Sequence, residues 1–504
     1  MSIASNTFLL FVLICVIVYY IVPGRLQWVV LLLFSCIYYL WGGLQYLFYI
    51  LFSTAVTYCT ALLVDRWREN GRSLRSRRAL TAAGLLGCFG MLAVVKYLGA
   101  VFEGLNQLLH LGLPSIGLLF PLGISFYTFQ SSGYLLDVYW EKVPAERNPF
   151  RYALFVSFFP QLLQGPISRY EELAHQLYAS HSFAWNNLVL GAERILWGFF
   201  KKIVLSDWAG VFADAIYGDM EAFSGLGAFA LLFYGIQLYA DFSGGIDVVI
   251  GIARMLDISL TENFKRPYLA TSVSNFWKRW HITLGKWMMT YVFYPISLSR
   301  PMMGFGKWCK RAFGKKTGRI VPVAVSELII FFLVGIWHGA SWRFVLYGIA
   351  NGVIIAFSEL MADNYRRMKA ALHISGKEGW YHVFTIVRTF VIVNILFVLD
   401  RASGIPQALR MLQLSFTSFQ PSQLLQIRAG REGTAFTPYA LAILSGGCLL
   451  MVAAGVLEER GIDLRKRINS LPLAVSAGIW LILLLSIGFL GCTAAPRGFI
   501  YAQF

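Results

Sequence analysis

Two Trp-His pairs carry the chemistry this sequence can offer. One lies in the run Gly335-Ile336-Trp337-His338-Gly339-Ala340-Ser341-Trp342, between the apolar stretches Val321 to Ile336 and Phe344 to Phe357. The other closes Asn275-Phe276-Trp277-Lys278-Arg279-Trp280-His281. An imidazole takes or gives a proton near neutral pH. An ionisable group within apolar sequence of this kind is expensive and calls for a purpose. Proton transfer or a polar relay is one purpose, and a histidine satisfied by a neighbouring helix is the other. The sequence from Tyr239 to Trp287 is dense in further candidates. Asp241 and Asp247 sit in or beside apolar sequence, where a free carboxylate is costly. Asn263 to Pro267 marks a break. Ser272 to Trp287 then mixes Phe276, Trp277, Trp280 and Trp287 with Lys278, Arg279 and Lys286, which suits a helix lying in the membrane interface.

The elements that must position these residues are membrane helices. Of 504 residues, 57% are hydrophobic and only 14% charged, against roughly a quarter charged in soluble domains. A span needs about 20 mostly apolar residues. Eleven stretches are expected to span: Phe8 to Val22, Trp28 to Trp41, Tyr46 to Val64, Ala79 to Leu98, Leu188 to Val204, Ala228 to Tyr239, Val321 to Trp337, Phe344 to Leu360, Val383 to Leu399, Tyr439 to Val456 and Leu471 to Leu490. Ile116 to Phe129, Tyr152 to Leu163 and Ile246 to Leu256 are short or broken by Gly and Pro, as re-entrant or interfacial pieces are. The fold class expected is all-α and integral to the membrane. Residues 1–504 read as a single membrane-embedded domain, with no repeat and no long linker. The first apolar run continues into the next span without a cleavage site, so it is expected to be retained.

The net charge of +17 is concentrated in loops: Arg66 to Arg78, Lys307 to Arg319, Arg366 to Lys369 and Arg460 to Arg467. The positive-inside rule puts all four in the cytoplasm and both termini outside. Such loops are an ordinary signature of topology, which argues against a nucleic-acid partner, and they could attract an anionic donor or carrier. Cys15, Cys36, Cys59, Cys88 and Cys448 fall within apolar spans, and no Cys/His grouping has metal-binding spacing. No phosphate-cradling or dinucleotide-binding glycine motif is present.

Taken in order, several motifs resemble the membrane-bound O-acyltransferase family, and within it the branch of the alginate O-acetylation membrane subunit. They are Phe159-Pro160-Gln161 with Gly165-Pro166-Ile167 and Arg169-Tyr170, Asp241-Phe242-Ser243-Gly244, and Glu262-Asn263-Phe264 with Arg266-Pro267-Tyr268. The two Trp-His motifs and Phe499-Ile500-Tyr501 with Phe504 complete the set, so the resemblance covers nearly the whole chain. It implies a ring of about eleven tilted helices with re-entrant and interfacial helices and a thin centre, where two funnels meet near His338. It also implies acyl transfer from a cytoplasmic thioester donor, acetyl-CoA above all or an acyl carrier protein, to a hydroxyl of an extracytoplasmic polysaccharide. No bound cofactor or metal is called for, and a secreted SGNH-type transferase is the expected partner, in a bacterial cytoplasmic membrane. A hydroxyl attacks only once a base takes its proton. His338 is the candidate base. The roles open to His281 are to orient the donor, to polarise its carbonyl or to share the proton path, with Asp241 and Asn275 in support.

The chain departs from that branch in places. After Gly285-Lys286-Trp287 the branch has an Arg-Asp pair, where this chain has Met288-Met289-Thr290-Tyr291. Asp400-Arg401 stands where relatives often place an Arg followed by an acid. The final Phe499-Ile500-Tyr501-Ala502-Gln503-Phe504 resembles the terminal motif of the partner peptide in teichoic-acid D-alanylation, which suggests Tyr501 as a built-in acyl relay. An aromatic anchor at the headgroups is the simpler use of such a tail. D-alanyl transfer from a carrier protein towards teichoic acid is the nearest alternative chemistry. A polysaccharide exporter is the alternative of another class, although the inverted repeats usual in transporters are not visible.

Overall fold

The computed structural model describes residues 3, 5–110, 112, 121, 123–376, 378–428, 437–492 and 498–499, with the side chain of residue 163 left out. Among the described residues every regular element is helical, and the chain is an all-α, multi-pass membrane protein. Among the described residues nine helices are long and apolar enough to cross a bilayer: Gly24–Gly42, Leu44–Glu69, Leu74–Leu109, Ser224–Met255, Arg300–His338, Trp342–Leu360, Gly379–Arg401, Thr437–Glu459 and Leu473–Leu490. They contain nine of the eleven expected spans. The other two are helical as well, with less spanning character. Asn6–Ile21 has 16 residues. Trp185–Phe199 carries Glu193 and Arg194 and continues as the π-helix Phe200–Ser206 with Lys201 and Lys202.

Two expected pieces change their form. Ala228 to Tyr239 and Ile246 to Leu256 belong to one continuous helix, Gly227–Met255. Tyr152 to Leu163 is split into Pro149–Ser157 and Phe159–Gln164. Part of Ile116 to Phe129 falls outside the described residues, and Ile124–Tyr139 is a helix.

The chain divides into two compact units. The first comprises Met1–Phe199, Gly244–Thr261 and Gly498–Phe504. In it glycines serve as packing surfaces. A Cβ on Gly191 would lie 2.6 Å from the carbonyl oxygen of Gly251, and one on Gly198 would lie 2.6 Å from that of Gly244. Each pair is spaced two turns apart, so one bare stripe faces another and the backbones touch, as membrane helices do. The costly Asp247 is answered here by Arg194, whose Nε and Nη2 donate to Oδ1 at 3.0 and 2.9 Å.

The second unit comprises Phe200–Ser243 and Glu262–Arg497. The helix Arg300–His338 folds back on itself at Gly314, where φ is 80°. The glycine adopts that left-handed turn at little cost, and it brings Lys307, Lys310, Arg311, Lys315, Lys316 and Arg319 to an exposed tip. Lys316 and Arg366 both pair with Asp363, so the second and third basic loops adjoin. Beyond Gly339-Ala340-Ser341 the chain returns as Trp342–Leu360, with Gly335 against the backbone of Phe344 and Gly348 against that of Phe331.

Candidate functional site

Both histidines lie in the second unit, on either side of one indole. The Trp337 ring centroid is 5.0 Å from that of His338 and 6.0 Å from that of His281. His338 is the last residue of its helix and is buried. Phe344 stacks near its ring at 6.1 Å and Tyr347 meets it edge-on at 5.6 Å, both from the returning helix. Ring Nδ1 lies 3.7 Å from Oδ1 of Asp400, on Gly379–Arg401. A cation at a helix C-terminus is also favoured by the exposed carbonyl dipoles. The ring thus has aromatic neighbours from the returning helix and one carboxylate oxygen beyond hydrogen-bonding range.

His281 is held differently. The expected interfacial helix is broken into Val273–Trp277 and Ile282–Met288, and His281 caps the second piece with φ 44° and ψ 51°. Few side chains accept that left-handed conformation, and it persists only where neighbours enforce it. Asn263 does so. Its Oδ1 accepts from the Thr283 amide at 3.0 Å and the Thr283 hydroxyl at 2.9 Å. An amide N–H can only donate, so the atom it meets is the carbonyl oxygen. Nδ1 of His281 faces the same oxygen at 3.3 Å and therefore carries the proton. Burial among apolar groups pushes the imidazole down to about 3, so it stays neutral. The aromatic residues of this stretch go inward, not to a membrane surface. Trp280 is buried against Phe276 at 5.3 Å, Phe264 at 5.1 Å and Phe397 at 5.5 Å. Trp277 Nε1 donates to Asn351 at 3.0 Å.

The supporting residues are placed as follows. Asp241 is fully buried, and its carboxylate receives Lys202 Nζ at 2.7 Å. Lys202 also pairs with Asp207 at 2.8 Å, and Lys201 donates to the Ser243 hydroxyl at 3.0 Å. The π-helix thus grips the two residues flanking Phe242, whose ring meets His281 edge-on at 4.9 Å. Asp241 therefore acts on His281 at one remove. Asn275 serves its own turn, accepting from the Thr271 amide at 3.4 Å. Tyr501 lies outside the described residues. Met289–Phe293, where the Arg-Asp pair of the resembling branch is missing, is a π-helix. The sequence marks Asp400 only as a departure from the resembling branch and Asn263 only within a motif, and it singles out neither Tyr234 nor Lys202. An acid closing an apolar run is a signal in itself, and Asp400 gave one. Among the described residues no three His, Cys, Asp or Glu side chains gather as ligands for a metal.

Comparison with known proteins supplies the family. Residues 144–393 match the membrane-bound O-acyltransferase family, a stretch that includes both histidines. The chain is 30% identical over 451 residues to "Probable alginate O-acetylase AlgI" of Pseudomonas aeruginosa, covering 88% of this chain and 80% of that one. It is 28% identical over 410 residues to the peptidoglycan O-acetyltransferase of Helicobacter pylori, covering 76% and 72%. It is 25% identical over 292 residues to the teichoic acid D-alanyltransferase of Bacillus subtilis, covering 55% and 67%. With relatives of this kind over most of its length, the chain belongs to the membrane-bound O-acyltransferase family and is an O-acyltransferase.

Proposed function

We propose that the enzyme moves an acetyl group from acetyl-CoA on the cytoplasmic side to a hydroxyl destined for a cell-wall or exported polysaccharide outside. The membrane is the bacterial cytoplasmic membrane, and both termini face out. One observation carries this reading: the two histidines join a loop on the basic side to a turn on the other. Glu459 adjoins the basic run Arg460 to Arg467 and holds Arg266 at 2.6 Å and Arg279 at 2.8 Å. His281 stands two residues beyond Arg279, within reach of a donor arriving from that side. Gly339-Ala340-Ser341, next to His338, joins two helices; the first runs back to the basic tip Lys307 to Arg319, and the second leads into Ala362–Ala371, which carries Arg366, Arg367 and Lys369. Cysteines introduced at Ser76 and Ser470 should therefore resist an impermeant thiol reagent added outside; labelling at Ser76 from outside reverses the orientation.

His338 takes the proton of the attacking hydroxyl, and neutral His281 orients the thioester. The relatives named for O-acetylation match over more of the chain than the one named for D-alanyl transfer, which favours acetyl. Tyr501 is the first acceptor, passing the acetyl group to an external transferase. Phe499, two residues before it, is buried, and a Cβ on Gly245 would lie 3.1 Å from its ring. Such an anchor is what a relay needs. Protein incubated with labelled acetyl-CoA should carry an alkali-labile label that Tyr501→Phe lacks. A labelled Phe variant with full polysaccharide acetylation would remove the relay and leave direct transfer. Label arriving only from a D-alanyl carrier protein would replace the acetyl reading.

A further inference from the structure

Asp400 is buried one residue before the end of Gly379–Arg401, and its two carboxylate oxygens have different surroundings. Oδ2 accepts a 2.5 Å hydrogen bond from the Tyr234 phenol. Oδ1 faces Nδ1 of His338 at 3.7 Å, beyond hydrogen-bonding range. No donor among the described residues reaches that oxygen. The backbone around it is clamped. Arg343 donates to the carbonyl of Asp400 at 2.5 Å and to that of Ala402, and Arg401 turns away to Asp214 at 2.6 Å. A carboxylate held in place by its backbone and one oxygen, with the other turned to a histidine, is costly to bury unless a positive charge forms beside it.

We propose that Asp400, fixed by Tyr234, is the positioning residue of His338. The inference rests on His338 being the base. Asp400 holds the ring with Nδ1–H towards Oδ1, so that Nε2 is the nitrogen presented to substrates. During transfer the O–H bond of the acceptor breaks and its proton goes to Nε2. The acceptor oxygen bonds the acyl carbon, the carbon–sulfur bond of the donor breaks, and the departing thiolate takes the proton from Nε2. The imidazolium exists between these two proton transfers, and Asp400 compensates its charge. A carboxylate in this role keeps its own charge throughout and need not accept the proton.

Kinetics of the full-length enzyme with acetyl-CoA test this. Asp400→Asn is isosteric and removes only the charge. It should lower kcat about 10²-fold or more and leave the KM for acetyl-CoA within about twofold, because the residue touches no donor atom. Tyr234→Phe, which frees the carboxylate without removing it, should lower kcat about tenfold, less than Asp400→Asn and again without a KM change. Asp400→Glu should recover part of the rate lost in Asp400→Asn. A wild-type kcat in Asp400→Asn, or a loss confined to KM, overturns the inference. If Asp400→Asn does not fold, a wild-type kcat in Tyr234→Phe overturns it as well. These results are distinct from failure of the underlying reading, in which His338→Ala itself transfers acetyl at the wild-type rate.

Discussion

His281 and His338 flank the same indole, both are buried and both follow a tryptophan, yet one faces an amide oxygen and the other a carboxylate. His281 faces an amide oxygen and the edge of Phe242. Burial holds it neutral. His338 faces a carboxylate at 3.7 Å from the C-terminal end of a helix. The backbones differ in the same sense. His338 has ordinary helical geometry, so its ring is aimed by side-chain neighbours. His281 is forced into the left-handed region, so its ring is aimed by the chain itself. The first is a site where a proton can arrive and leave, and the second keeps one tautomer at one angle. In the proposed mechanism the two histidines divide the work of a single transfer.

The largest effect expected from this division is at His338. His338→Ala should leave a folded, membrane-inserted protein and reduce acyl transfer by about 10²–10⁴-fold, the usual worth of a general base. His281→Ala should cost less, because a neutral imidazole orients without carrying the proton. His281→Asn should recover part of that loss if one polar group in the right place is enough. Acylation measured at matched expression decides the order. Equal losses for the two alanine variants would mean that both rings carry the proton, and a normal rate in His338→Ala would move the base elsewhere.

The sequence made the helices legible because bilayer-spanning stretches must be apolar along their whole length. It made His338 legible for the complementary reason, that an ionisable group there stands out. The partners were harder to see. Asn263 is 18 residues from His281 and Asp400 is 62 from His338, and local pattern carries no information on such pairings. Ala228 to Tyr239 and Ile246 to Leu256 read as separate pieces, although in the fold one helix runs through Gly244 and Gly245 between them and Gly244 forms a contact with Gly198. The aromatic and basic mixture from Ser272 to Trp287 matched an interfacial helix. A surface helix and a folded-in loop with its cations outside share that composition, and only the left-handed turn at His281 separates them.

The smallest expected effect is on stability, and it isolates the electrostatics of His281. An unfolded histidine titrates near 6.5, whereas the folded one is pushed down to about 3. Between those values the unfolded chain binds a proton that the folded chain refuses. The stability linked to this group is therefore fully present above about pH 6.5 and is lost as the pH falls towards 3. At about 1.4 kcal/mol per unit, the penalty at pH 5 is about 2 kcal/mol. His281→Asn cannot titrate, so this part of the pH dependence should vanish while the contributions of the other six histidines remain. Unfolding of the purified proteins in one detergent at pH 7, 6 and 5 gives the comparison directly. The wild type should lose about 2 kcal/mol more than the variant over that range. Parallel curves would mean that His281 charges in the folded state, which its amide partner and aromatic neighbours do not favour, and the contrast with His338 would disappear.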